Sequence, residues 1–133
     1  MNKQILIVDD DTDVAGFYGR YLRFEGYQVT IAETCAAADA LLRTWRPDLI
    51  IVDWWLPDAD GDVWASSLRL RTDLAQVPIV VITGRELPRA TLNRLNDYHI
   101  ARLQKPFSLE CLSARLGVLL AAQAAPRTLK GPV

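Results

Sequence analysis

The run "ILIVDDD", Ile5 to Asp11, decides how the rest of the chain reads. Four successive apolar residues, three of them β-branched, leave no polar face, which predicts a strand buried on both sides. The strand then runs into three aspartates. Adjacent carboxylates repel one another and resist ionising together in a low-dielectric setting. A buried strand that ends so negatively calls for a positive partner.

Similar apolar runs recur along the chain: "QVTI" (28–31), "DLIIV" (48–52), "PIVVI" (78–82) and a weaker "IARL" (100–103), after "QILIV" (4–8). Stretches of helical length separate them. In the first, Val14, Phe17, Tyr21 and Leu22 recur at a 3.6-residue period, Asp11 or Thr12 can cap it, and Gly26 stops it. Gly16 and Gly19 inside this helix each cost about 1 kcal/mol relative to alanine. Thr34 can cap the second, "CAAADALLRTW", with Ala37, Leu41 and Trp45 on its face. Asp60-Gly61 turns into a third around Val63, Trp64, Ser67 and Leu68, and Pro88 stands near the first turn of a fourth. Ser108 caps the fifth, lined by Leu109, Leu112, Leu116, Leu119 and Leu120. Five strands alternating with five helices predict a parallel sheet covered on both faces.

The 133 residues suit one domain with a core of its own. A net charge of −1 supplies no basic surface, so direct nucleic-acid binding is not expected. Cys35 and Cys111 form neither a zinc spacing nor a CxxC pair. With no signal peptide and no long apolar span, the expectations are a cytoplasmic location and no membrane association.

Ligands of open α/β sheets bind beyond the carboxyl ends of the strands. Those ends carry Asp9 and Asp10, Asp53, Thr83-Gly84 and Lys105-Pro106. Each residue alone has a bland reading as a solvated charge or a helix cap. Together they bring three carboxylates, a hydroxyl and an ammonium to one edge. Such a set suits a hard, oxygen-seeking cation, and magnesium fits, since it takes one or two carboxylates with waters and phosphate oxygens.

"ILIVDDD", "IIVDWWLPDADG", "VVITG" and "QKPF", in this order and spacing, resemble the receiver domain of two-component response regulators. The resemblance covers about residues 4–123. It implies a flavodoxin-like, doubly wound (βα)5 sandwich with strand order 2-1-3-4-5. It implies that Asp53 accepts a phosphoryl group from a phosphohistidine on a sensor histidine kinase or phosphotransfer protein. Asp10 and Asp53 would then ligate Mg2+ directly, with the main-chain carbonyl of Trp55, and Asp9 would hold a coordinated water. Thr83 and Lys105 would each engage a phosphoryl oxygen, and the Lys105-Pro106 bond would be cis. The chain would be a signalling domain with self-catalysed transfer and autodephosphorylation rather than an enzyme.

Two positions depart from the family pattern. Arg102 stands where an aromatic usually serves as a switch, three residues before the lysine. A guanidinium enters an apolar slot only at a desolvation cost of several kcal/mol. Arg102 is therefore expected to stay outward, on the surface of helix four, strand five and helix five, facing an acidic partner residue or the kinase. The same face could serve a homodimer. Tyr98-His99 replaces the usual Gly-Ala, leaving Asn96 as a candidate left-handed cap, with His99 an ordinary loop residue. Trp54 and Trp55 follow the acceptor, either part-buried over the loop or covering the phosphoryl group.

The alternative is a degenerate receiver acting as a phosphorylation-independent binding module. It predicts losses among Asp10, Asp53, Thr83 or Lys105, and all four are present. A haloacid-dehalogenase-type phosphohydrolase wants a second Asp where this chain has Trp55. A flavodoxin-type electron carrier would suffer repulsion between its phosphate and the aspartates after strand one. The first strand lies close to Met1, which suits an N-terminal receiver spanning 1–123, and 124–133 reads as a tail or linker. Right-handed crossovers would put Cys35 and Cys111 on opposite faces of the sheet, as free thiols.

Overall fold

The computed structural model describes residues 2–124. Five strands, β1 (Gln4–Val8), β2 (Gln28–Ala32), β3 (Leu49–Asp53), β4 (Ile79–Thr83) and β5 (Ala101–Gln104), alternate with five helices. The helices are α1 (Thr12–Phe24), α2 (Cys35–Leu41), α3 (Gly61–Leu68), α4 (Arg89–Asp97) and α5 (Leu109–Ala124). The expected tail at 124–133 lies, apart from Ala124, outside the described residues. No described helix is long and apolar enough to cross a membrane.

All strand pairs are parallel and the order is β2-β1-β3-β4-β5, the flavodoxin-like sandwich. The central strands are buried on both faces, whereas the edge strand β2 alternates exposed and covered residues. That is why β1, β3 and β4 read as unbroken apolar runs. The register sets Val8 beside Val52, Asp53 beside Ile82 and Thr83 beside Gln104, so the strand ends finish along one edge.

Two cores lie on either side of the sheet. Leu22 of α1 and Leu112, Leu116 and Leu120 of α5 pack with Ile5, Ile51 and Ile82. On the opposite face, Ala38, Trp64, Leu68 and Leu95 of α2, α3 and α4 pack with Leu6, Val52 and Val81. Each leucine buried completely contributes about 2 kcal/mol.

The helix faces correct the sequence reading. On α1, Ala15, Gly19 and Leu22 are buried, while Phe17 is exposed. Gly19 faces β2, where a Cβ would stand 3.4 Å from Val29 Cγ1, in van der Waals contact. On α2, Cys35, Ala38 and Leu42 point inward, Ala37 is exposed, and Leu41 and Trp45 border the core. Val63 of α3 is exposed, and Asp62 is buried in its place, paired to Arg94 of α4.

Capping follows local chemistry. Asp11 caps α1 by accepting from Val14 N, Thr34 caps α2 through Ala37 N, and Ser108 caps α5 through Cys111 N. His99, not Asn96, takes the left-handed position after α4, with φ 55. Its N–H donates to the Asn96 carbonyl and that of Ile100 to the Leu95 carbonyl, which closes the helix. Arg69 secures this turn from α3, donating to the carbonyls of Tyr98 at 2.8 Å and His99 at 3.0 Å. The same guanidinium reaches the carbonyls of Leu74 and Val77, so one side chain ties together two loops.

Candidate functional site

Three of the strand ends build one acidic cleft. Asp9 leaves β1 buried, and its Oδ1 accepts from Asp11 N at 2.9 Å, which folds the chain back into α1. Asp10 is exposed beside it, and Asp53 ends β3 with its side chain mostly covered. Carboxylate oxygens of Asp9, Asp10 and Asp53 all lie within 4.8 Å of one another. The cleft holds about 340 Å³ and is also lined by Asp11, Trp55 and Lys105.

Electrostatics follow from this crowding. Burial pushes the Asp9 carboxyl up to about 6 against the hydrogen bond from Asp11 N, with the charge of Asp53 adding to the rise. Asp53 is also raised, mainly by burial; Lys105 and the main-chain amide of Trp55 hold it back in part. Lys105 Nζ stands 3.7 Å from Asp53 Oδ1. The Lys105-Pro106 bond is cis, and Lys105 N donates to the Thr83 carbonyl at 2.8 Å, tying β5 to the end of β4.

Thr83 is almost wholly buried at the end of β4. Its hydroxyl donates to the Arg85 carbonyl at 3.0 Å and accepts from Arg85 N at 3.2 Å. The two tryptophans part company: Trp54 belongs to the core, whereas Trp55 is 56% exposed and lines the cleft. Arg102 lies apart from these groups, on the surface between α4, β5 and α5, with its guanidinium 3.3 Å from Gln104 Oε1.

Three contributors were not singled out in the sequence. Gly61 packs so tightly that a Cβ would fall 2.1 Å from the Asp53 carbonyl oxygen, and its N–H donates to Trp54 O. Asp58 accepts from Cys35 N and Ala36 N, each at 3.0 Å, and so docks the start of α2 onto the loop after Asp53. The Arg85 guanidinium stacks over the Trp55 ring. Gly61 left a trace as the glycine after Asp60. The other two depend on distant contacts.

Donor chemistry fits a hard divalent cation, since all three converging ligand groups are carboxylates and the most buried one is already disfavoured as an uncompensated anion. Comparison with known proteins agrees with this architecture. Residues 5–117 match the response regulator receiver domain. The transcriptional regulatory protein KdpE of Staphylococcus aureus is 34% identical over 123 residues, covering 90% of this chain and 50% of that protein. The response regulator MprA of Mycobacterium sp. (strain KMS) is 37% identical over 120 residues, covering 90% and 51%. The chain thus spans about half the length of these relatives. The crystal structure of a CheY-like response regulator receiver domain protein from Methanospirillum hungatei JF-1 superposes with a TM-score of 0.82 at 28% identity, covering 92% of this chain and 97% of that one. Sequence, topology and the placement of the acidic cleft agree, and the chain belongs to the receiver domain family of two-component response regulators.

Proposed function

We propose that this chain is a phospho-accepting switch in which Asp53 takes a phosphoryl group from a phosphohistidine on a sensor histidine kinase or phosphotransfer protein. The observation that carries this reading is the meeting of Asp9, Asp10 and Asp53 within 4.8 Å, with Lys105 Nζ 3.7 Å from the acceptor. An Asp53 oxygen attacks phosphorus, the phosphorus–nitrogen bond breaks, and the imidazole leaves with the electron pair. The product is an acyl phosphate, and water returns it to the carboxylate. The receiver unit is assigned to residues 1–123, with 124–133 as a tail or connecting segment.

Nucleophile and phosphoryl group are both anionic, so positive charge must precede the chemistry. Lys105 supplies one such charge from β5. Asp9, Asp10, Asp53 and the main-chain carbonyl of Trp55 are the groups that would hold Mg2+. When bound, the ion would offset charge on the acceptor and on the transferring oxygens.

The switch follows from a count of protons. Thr83 has one hydroxyl hydrogen, and it is given to the Arg85 carbonyl. Donating it to a phosphoryl oxygen instead leaves that carbonyl without its partner. The turn between β4 and α4 is then released from Thr83, which offers a route for the event toward α4.

Titrating magnesium should change the fluorescence of Trp54 and Trp55, and a small phosphodonor should change it further. Asp53→Asn should remove the second response. Phosphorylation of that variant at the usual rate would overturn the acceptor assignment. All of Asp10, Asp53, Thr83 and Lys105 are retained, so nothing favours a phosphorylation-independent module.

A further inference from the structure

The loop between β3 and α3, residues 54–60, brings Trp55 to the wall of the acidic cleft. We propose that Asp58, an exposed residue of this loop, is a positioning residue for the cleft, and that its hold on α2 sets the affinity for a divalent cation. The inference deepens the proposed function and rests on its assignment of the Trp55 carbonyl to Mg2+.

Three ties shape the loop. At its base Gly61 N donates to Trp54 O at 2.7 Å, and one antiparallel bridge joins Trp55 to Asp60. On its inner side Leu56 is buried in the core. On its outer side one Asp58 carboxylate oxygen accepts from Cys35 N and the other from Ala36 N, each at 3.0 Å. Among the described residues, Asp58 is the one side chain of 54–60 that is hydrogen-bonded to another element.

The anchor is firm. Cys35 and Ala38 of α2 are buried, Thr34 Oγ1 accepts from Ala37 N, and Trp64 Nε1 of α3 donates to Asp39 Oδ1 at 2.9 Å. Main-chain N–H groups at a helix start cannot turn aside without moving the helix. A carboxylate that meets two of them with separate oxygens is therefore fixed in direction as well as distance.

Asp58 acts through the backbone. Its carboxylate is not among the converging Asp9, Asp10 and Asp53 groups, and it does not line the cleft. Pro57, whose ring fixes φ, stands between it and the cleft-lining Leu56 and Trp55, so little displacement is absorbed on the way. Magnesium takes its ligands at about 2.0–2.1 Å in near-ideal octahedral geometry, so a small shift of one carbonyl weakens binding. The Trp55 amide also donates to the Asp53 carboxylate, which makes the loop a support for a second ligand.

The test titrates magnesium chloride into the full chain at physiological salt and follows tryptophan fluorescence in the parent, Asp58→Ala, Asp58→Asn and Asp60→Asn. Asp60 is the charge control, because it is exposed in the same loop and its side chain makes no capping bond. Asp58→Ala should bind magnesium about tenfold more weakly, as groups that orient metal ligands commonly do when removed. Asp58→Asn, which keeps one acceptor oxygen, should fall between it and the parent. Asp60→Asn should stay within about twofold of the parent, since exposed charges are screened. In the isotope-labelled parent, magnesium should shift the Cys35 and Ala36 amide resonances; in Asp58→Ala that response should vanish while the Asp10 amide still responds. If Asp58→Ala folds poorly, Asp58→Asn against Asp60→Asn decides. The proposal is overturned by parent-like affinity in Asp58→Ala, or by equal weakening in Asp58→Asn and Asp60→Asn, which would make charge alone the cause. A parent chain that binds no magnesium would overturn the cation assignment itself, and this inference with it.

Discussion

The guanidinium of Arg85 lies over the indole of Trp55, 5.4 Å from the ring centroid. Trp55 also lines the acidic cleft, two residues past Asp53, the proposed acceptor. A stacked indole there can hinder water on its way to phosphorus. Removing shielding worth about 1 kcal/mol speeds hydrolysis about fivefold. Trp55→Ala should therefore shorten the lifetime of phosphorylated Asp53 by about that factor. Arg85→Ala, which frees the ring without deleting it, should act in the same direction and less strongly. Decay of the phosphoprotein after donor removal measures both, and unchanged or slower decay in Trp55→Ala would mean that the indole does not guard the site.

Asp9 makes stability depend on pH. Burial raises its folded carboxyl to about 6, above the ordinary carboxylate range, so between these values the folded chain holds a proton that the unfolded chain releases. This contribution is fully present below about pH 4 and is lost as pH rises through 6. Without magnesium, Asp9→Asn should stabilise the protein at pH 7.5 by about 2–3 kcal/mol and by almost nothing at pH 4. Magnesium should stabilise the parent chain at pH 7.5 and the variant far less, because binding to the folded state shifts unfolding by mass action. Urea unfolding at the two pH values, with and without the ion, checks each sign.

Gly61 packs against the backbone of Asp53. A methyl group there would meet the Asp53 carbonyl oxygen at 2.1 Å and the Asp53 carbonyl carbon at 2.9 Å, both unyielding main chain. Gly61→Ala should cost about 3 kcal/mol and slow phosphorylation even where the protein remains folded. Gly16→Ala is the control. Nothing lies within 4 Å of its added Cβ, and higher helix propensity should stabilise α1 by up to about 1 kcal/mol.

The cysteines should react unequally. Cys35 is buried, and burial together with Asp58 pushes its thiol up to about 12, whereas Cys111 is exposed on the other side of the sheet. A thiol reagent should modify Cys111 rapidly and Cys35 only on unfolding. Cys111→Ser should leave the slow reaction alone. A bridge between them in folded protein would contradict the topology, because bridged Cα atoms lie within about 7 Å.

The strands and the strand-end carboxylates were legible because both depend on local sequence. Complete burial writes β1, β3 and β4 as unbroken apolar runs, and the topology rule carries their ends to one edge. Helix faces were less legible. Apolar periodicity overweights bulky residues, so Phe17 was preferred to Ala15 and Gly19, although the small residues are the buried ones. The buried Asp62 and the clamp of Arg69 on four carbonyls depend on partners far along the chain, which no local pattern encodes. Arg85 escaped notice for the same reason: its meaning lies in the ring that it covers and in the Thr83 hydroxyl that it occupies.

The most direct measurement locates the phosphoryl group. The chain is incubated with magnesium and a small phosphodonor, reduced with borohydride to trap the acyl phosphate, digested, and mapped by mass spectrometry. Reduction should convert the side chain at position 53 to that of homoserine, only when both magnesium and donor are present, and leave positions 9 and 10 untouched. Trapping at Asp9 or Asp10, or no trapping at any carboxylate while the folded protein binds magnesium, would contradict Asp53 as the acceptor.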